Sequence, residues 1–355
     1  MVKKKQKTIK IPILISLTLS LTIIILILYF TLNPETLNKL TTTKIKYEFF
    51  LIAVLLNILY WILWGVRLKI LSRAIDKKVK IGLLESIKIV IANLFLACIT
   101  PSMAGGEPVR IHLLKKNGMS IGCSTATVLG ERLLDAIFIL AVVPIAVYIF
   151  KDKPSIQFLN AGLGIGVIVF TILLILFLYA IFRPEKVKTF LIFISKKLSR
   201  FSKIRESEMK IIKKISDEVD EFHNGFTCFK EEKSALVEAG IVTILFWSTG
   251  FMIPSMILLG LGLEPFFIDS YAAQILLLVI IMMPTTPGSA GVAEIGIFGL
   301  YGVLIGTGQA SLIGVFIILY RFITYHMNLI AGAIFQYRIF KSVASFSLEA
   351  IKKEK

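Results

Sequence analysis

The chain has 355 residues, of which 56% are hydrophobic and only 18% are charged, yet its formal net charge is +17. Soluble proteins carry about 25% charged residues, so this composition excludes a soluble enzyme, a secreted disulfide scaffold and a disordered tail. Apolar runs of about 20 residues are long enough to cross a bilayer. They predict an all-α, polytopic membrane protein, because backbone polar groups in lipid must be satisfied within each spanning segment.

The first apolar segment, 11–32, follows a Lys-rich stretch. A signal peptide has an apolar region of about 7–15 residues and a small-residue cleavage site, and neither is found here, so a retained span is predicted. The later apolar segments are 49–66, 86–100, 121–150, 159–182, 235–262, 271–284, 291–306 and 310–337.

Lysine and arginine predict how these segments are oriented. Of the 40 basic residues, 33 fall on one side of the predicted membrane and five on the other. The positive-inside rule places the rich side in the cytoplasm. We therefore expect a multi-pass protein of the cell membrane with both termini cytoplasmic.

Two segments must return to the side from which they enter. Segment 86–116 starts and ends beside basic stretches, whereas 271–306 starts and ends on the opposite side. Each contains a Pro/Gly break. The predicted fold therefore has six full transmembrane helices plus two oppositely oriented re-entrant hairpins.

The two halves of the chain predict an inverted repeat, a common plan of transporters. The first half is 1–152, and the second is 153–355. The tip sequence 100–107 parallels 286–294 with one residue inserted. The second half also carries an amphipathic insertion, 183–233, which we expect on the cytoplasmic face of the bundle.

Glycines and acids at the hairpin tips are candidate functional residues. Broken helices expose N–H groups that suit an anionic ligand, and glycine allows a headgroup or the facing hairpin to approach closely. The candidate glycines are Gly105, Gly106, Gly288 and Gly291. Glu107 and Glu294 are either sites of ion coupling or gating or caps of the helices that follow; both interpretations stay open.

Two arginines lie within predicted spans. Arg132 and Arg321 are each about 16 Å along their helices, near the middle of a ~30 Å hydrocarbon core, where arginine marks a pathway or a buried pair. Arg132 has possible local partners in Glu131 and Asp135. Arg321 has no acid within a turn and needs a distant partner, either Glu107 or Glu294, or an anionic ligand.

Other chemistry lacks support in the sequence. The three cysteines and three histidines do not cluster, so no metal site or cofactor is predicted. No nucleophile–histidine pair indicates an enzyme. Basic patches beside apolar spans favour anionic lipid over nucleic acid.

Three ordered motifs resemble a known membrane family: Asn93 and Pro101 before Gly105–Arg110, then Gly130–Asp135, then Pro284–Glu294. It is the flippase-like family, also called the lysylphosphatidylglycerol synthase transmembrane region or uncharacterised protein family 0104. The resemblance implies movement of lipids or lipid-linked molecules between leaflets. Some members carry a fused transferase domain; the chain ends soon after its last span, so we expect a standalone form.

The predicted function is therefore translocation of an anionic phospholipid or lipid-linked intermediate between leaflets. Arg132 and Arg321 would attract the headgroup, Arg110 would wait at the cytoplasmic mouth, and the tip acids with Glu131 and Asp135 would couple or gate. Two alternatives stay open: a secondary transporter of a small soluble anion, and a non-catalytic membrane partner of a lipid-modifying enzyme that binds through 183–233. The sequence predicts no oligomeric state.

Overall fold

The computed structural model describes residues 44–100, 106–153, 232–281, 288–306 and 312–335, together with position 22 and with single positions and short runs between 171 and 227. Apart from those positions, the predicted spans 11–32 and 159–182 lie outside this part of the chain. The regular elements of the described ranges are helices. They are α1 Tyr47–Ile75, α2 Leu83–Ile99, α3 Gly106–Lys116, α4 Ile121–Phe150, α5 Lys233–Gly260, α6 Phe267–Ile281, α7 Val292–Ile305 and α8 Ile313–Arg321, followed by a π-helical turn Phe322–His326.

Four of these helices are long and apolar enough to cross a membrane. They are α1, α4, α5 and the helix Ile313–Phe335, which contains α8 and the π-helical turn. Their positions agree with the predicted spans 49–66, 121–150, 235–262 and 310–337. The start of α4 is fixed by Ser120, whose hydroxyl accepts a hydrogen bond from the Cys123 N–H at 3.0 Å, as expected of an N-cap.

Helix α1 differs from the prediction at its end. It continues beyond residue 66 to Ile75. Arg67, which lies just outside the predicted span 49–66, is therefore a helical residue, and its side chain is fully buried.

Contacts between helix termini define two ends of the bundle. Lys77 forms an ion pair of 2.5 Å with Glu232, which joins the end of α1 to the start of α5. We call this the basic end. At the opposite end, the Lys46 N–H donates to the Gly260 carbonyl at 3.0 Å, and Lys153 pairs with Asp269.

The short helices form two pairs, α2 with α3 and α6 with α7. The α2–α3 pair is connected at both ends to helix termini of the basic end, whereas α6 follows the terminus of α5 at the opposite end. The two breaks meet, because the Gly288 N–H donates to the Thr100 carbonyl at 3.2 Å. These contacts support two hairpins that enter from opposite ends; the six-span inverted repeat stays a prediction.

The apolar core has two main parts. One surrounds the α2–α3 pair and includes the second half of α1 and the first parts of α4 and α5. The other surrounds α6, α7 and α8 with the later parts of α4 and α5. Each helix pair is thus held in its own apolar environment.

Two described positions of the insertion 183–233 pack against the bundle. Val219 is buried, and Phe222 packs on the core around α2 and α3. Within the insertion, Lys188 pairs with Asp220 at 2.5 Å, and this hydrogen bond raises the pKa of Lys188. The amphipathic character of the whole insertion, its cytoplasmic placement and a protein partner stay predictions.

Candidate functional site

Six charged side chains form a cluster between α1, α3 and α4, which we call the charge network. Three are arginines and three are acids, so their formal charges balance. The members are Arg67, Arg110, Arg132, Glu107, Glu131 and Asp135.

Arg67 from α1 is the centre of the charge network. Its Nε lies 3.1 Å from Glu131 Oε1, and its Nη1 lies 2.6 Å from Asp135 Oδ1. Nη1 also donates to Thr243 Oγ1 at 3.2 Å. The Arg67 side chain is 0% exposed, so these carboxylates compensate a guanidinium that has left water entirely. Such burial is tolerated only when charges and hydrogen bonds are satisfied.

Arg110 and Arg132 complete the network. Arg110 pairs with Glu131, and both side chains are fully buried. Arg132 bridges Glu107, with Nη2 to Oε1 at 2.8 Å, and Asp135, with Nη1 to Oδ2 at 3.2 Å. The predicted pair of Arg132 with Asp135 is thus present. Arg110 is not at an open mouth, where the sequence placed it, because α3 packs against α2 and α4.

The network has more donors than acceptors. A guanidinium offers five N–H donors, and three donor atoms are buried without a hydrogen-bond partner: Arg110 Nε, Arg110 Nη2 and Arg132 Nε. Unpaired buried donors are costly. The Arg132 and Glu107 side chains are also 37% and 28% exposed, so one edge of the network is accessible. Arg132 is thus both a carrier of an unpartnered donor and a member of the accessible edge.

Aromatic rings enclose the guanidinium groups. The Trp64 ring centroid lies 6.0 Å from the Cζ of Arg67, 5.3 Å from that of Arg110 and 5.9 Å from that of Arg132. Phe246 faces Arg67 at 4.7 Å. Cation–π attraction operates within about 6 Å, so Trp64 helps to hold three like charges together.

A second ion pair lies in the other half of the described bundle. Arg321 Nε and Glu294 Oε1 are 2.8 Å apart, in an orientation that makes no hydrogen bond, and both side chains are at most 5% exposed. Glu294 also accepts a hydrogen bond from the Gly291 N–H at 2.6 Å. It therefore caps the start of α7 and also neutralises Arg321. A role of Glu294 in ion coupling or gating stays a prediction. Of the partners considered for Arg321, Glu294 is the one found.

The second pair lies at the junction of the two helix breaks. Arg321 Nη2 lies 3.4 Å from the Gly288 carbonyl and can donate to it, and Tyr325 donates from its hydroxyl to the Cys98 carbonyl at 3.1 Å. Gly288 has φ +60°, and a Cβ at this position would lie 2.5 Å from the Tyr325 ring and 2.6 Å from the Cys98 oxygen. Only glycine fits this contact between the hairpins.

A π-helical turn follows Arg321, and such turns are frequent at functional sites. Asn57 from α1 donates to the Ile323 carbonyl within this turn at 2.9 Å. Trp61 donates to the Asn328 side chain at 2.8 Å. Polar side chains of α1 thus stabilise the irregular backbone beside Arg321.

Most of the sequence-predicted site residues are brought into these two clusters. Gly106 lies at the start of α3, where a Cβ would clash with the Asn93 amide oxygen. Gly105 lies outside the described residues. Sequence reasoning missed Arg67 and Trp64. Their spacing of three residues within one apolar helix was an available signal. Among the described residues, no group of three or more His, Cys, Asp or Glu side chains is arranged to hold a metal ion.

Comparisons with known proteins are consistent with this architecture. The family model described as "Lysylphosphatidylglycerol synthase TM region" matches residues 13–332. A UPF0104 membrane protein of Archaeoglobus fulgidus is 35% identical over 297 residues, which cover 82% of this chain and 87% of the relative. A UPF0104 membrane protein of Pyrococcus horikoshii is 24% identical over 292 residues, covering 81% and 86%. No solved structure matches the chain. The chain is thus a multi-pass membrane protein that belongs to the lysylphosphatidylglycerol synthase TM region family.

Proposed function

We propose that this protein moves an anionic phospholipid, or a lipid-linked intermediate with a phosphate headgroup, between the leaflets of the cell membrane. The observation that carries the proposal is the donor excess of the charge network. Buried guanidinium N–H groups of Arg110 and Arg132 have no partner, and a phosphate oxygen is the acceptor that such groups bind best.

The headgroup enters at the accessible edge of the network. There the Arg132–Glu107 pair is partly exposed, so a phosphate can compete with the Glu107 carboxylate for the same guanidinium. Glu131 and Asp135 stay bound to Arg67 and hold the remaining charges in place. Glu107 is therefore the gating residue of the proposed cycle, and Arg67 is a positioning residue.

The Arg321–Glu294 pair provides a second binding position for the headgroup, after the one at Arg132. It lies where the two helix breaks meet, beside the Gly288 backbone. A headgroup that leaves Arg132 can displace Glu294 from Arg321 by the same exchange of anions. The acyl chains remain in the bilayer, because only the polar headgroup binds at the two arginine positions.

Leaflet exchange of fluorescent phosphatidylglycerol in proteoliposomes tests the proposal. Charge-assisted hydrogen bonds contribute about 1.5–3 kcal/mol each, so Arg132→Ala and Arg321→Ala should each reduce exchange about tenfold or more. Lys115→Ala is the matched control, since Lys115 is an exposed cation of α3. It should exchange lipid at the wild-type rate.

The same preparation separates the proposal from transport of a soluble anion. Uptake of radiolabelled phosphate without lipid exchange would identify a soluble-anion transporter instead. Wild-type lipid exchange by both arginine variants, each shown to be folded by its thermal midpoint, would refute the assignment of these residues.

A further inference from the structure

A separate cavity of about 390 Å³ opens at the basic end of the bundle, between α1, the start of α2 and the start of α5. It shares no lining residue with the charge network or with the Arg321–Glu294 pair. Its wall combines apolar side chains with charged ones. The apolar residues include Val66, Ile70, Leu83 and Ala235.

Three cations in and just after α1 line this cavity. Lys69 and Arg73 are four residues apart within α1, and that spacing places them on the same helical face. Lys77 follows the end of α1 at Ile75. Two carboxylates, Glu232 and Glu238, also line it. The cavity therefore carries an excess of positive charge.

The excess of positive charge lies among Lys69, Arg73 and Glu238. Lys77 is engaged by Glu232 at 2.5 Å. Arg73 donates from Nη2 to the Ile81 carbonyl at 3.3 Å, which occupies one of its five donors. Lys69 is half-buried and makes no ion pair within the described part of the chain. A half-buried ammonium without a counter-ion is a site of favourable anion binding.

An apolar surface begins beside the cavity. Val237, Ile241 and Ile244 of α5 are 62%, 54% and 54% exposed, and their spacing places them along one side of a spanning helix. Leu84, next to the lining residue Leu83, is 75% exposed. A molecule with a charged head in the cavity and apolar chains outside it would match both surfaces.

We propose that this cavity binds a phosphate group, that of an anionic membrane lipid, through Lys69 and Arg73, with the acyl chains along the exposed face of α5. Basic recesses between transmembrane helices at the cytoplasmic side are suited to such headgroups. The bound lipid contacts both α1 and α5. Its binding site is distinct from the translocation route, and the lipid remains bound there. The inference does not depend on the proposed function.

Native mass spectrometry of the full chain, stripped of lipid in detergent and titrated with short-chain phosphatidylglycerol, tests this site. The double variant Lys69→Ala/Arg73→Ala should bind one phosphatidylglycerol fewer, or bind it at least tenfold more weakly, than the wild type. Lys78→Ala/Lys80→Ala is the matched control, because both lysines are exposed and neither lines the cavity. It should bind as the wild type does.

Further arms identify the source of the phosphate and separate this site from the charge network. If the double variant also loses binding of glycerol phosphate, the phosphate site is supported and soluble phosphates enter it too. If the double variant loses binding of phosphatidylglycerol alone, the ligand is a membrane lipid. Arg132→Ala should keep this adduct even if its lipid exchange is unchanged and the proposed function fails. Equal phosphatidylglycerol binding by the wild type and the folded double variant would overturn the inference.

Discussion

Replacing Arg67 by methionine is the sharpest perturbation of the charge network. Arg67 is fully buried and contacts two carboxylates, at 3.1 Å from Glu131 and 2.6 Å from Asp135. Removing one partner of a buried ion pair costs about 3–5 kcal/mol. We expect about 3 kcal/mol for Arg67→Met, the lower value, because Glu131 keeps Arg110 and Asp135 keeps Arg132.

The free energy of unfolding in lipid-free detergent, measured by denaturant titration, checks this value. Arg73→Met is the matched control, since it makes the same substitution in the same helix at an exposed position. An exposed charged side chain contributes about 0–1 kcal/mol, so the control should be nearly neutral. A loss below 1 kcal/mol for Arg67→Met would refute the view that its pairs carry stability.

A second variant tests charge balance itself. Arg67→Met/Asp135→Asn leaves two arginines and two carboxylates, paired as Arg110 with Glu131 and Arg132 with Glu107. The double variant should therefore be more stable than Arg67→Met alone, by about 1 kcal/mol or more. If the double variant lost as much unfolding free energy as Arg67→Met and Asp135→Asn together, the reasoning would be contradicted.

The remaining predictions concern backbone conformation at Gly288 and a hydrogen bond to the backbone at Ile323. Gly288→Ala should destabilise the protein by about 1–3 kcal/mol, because the positive φ of residue 288 is strained for alanine and the added Cβ would meet the Tyr325 ring at 2.5 Å. Gly302 has open space around it, so the control Gly302→Ala should leave the thermal midpoint unchanged or higher. Asn57→Ala removes the donor to the Ile323 carbonyl and should cost about 1–3 kcal/mol in the same unfolding assay, whereas no loss would show that this carbonyl finds another donor.

Much of the architecture follows from local patterns in the sequence. Apolar length predicts the four long helices, and Pro/Gly breaks predict where α2 and α6 end. The i, i+3 spacing of Arg132 and Asp135 predicts their contact, because such residues are neighbours on a helix. These predictions need only the chain near each residue.

What could not be predicted depends on how helices are placed side by side. Arg67 lies just outside the predicted span 49–66, and Arg110 was expected at the cytoplasmic mouth, yet both are fully buried. Their burial requires Glu131 on a helix more than 20 residues away in sequence, with separations of 64 and 21 positions. Burial of Asn57 is easier to predict than burial of Arg67 or Arg110, since Asn57 is a single amide inside an apolar span.

The charge network also constrains how the chain enters the membrane. Helix α4 contains Glu131, Arg132 and Asp135, and an Arg or Asp at the centre of a helix adds about 2.5–3.5 kcal/mol to the cost of insertion. The compensating charges belong to α1 and α3, which are synthesised earlier. Insertion of α4 is therefore most favourable when the preceding helices remain beside the site of insertion to receive it. The first half of the chain is then expected to integrate as a cooperative unit rather than helix by helix.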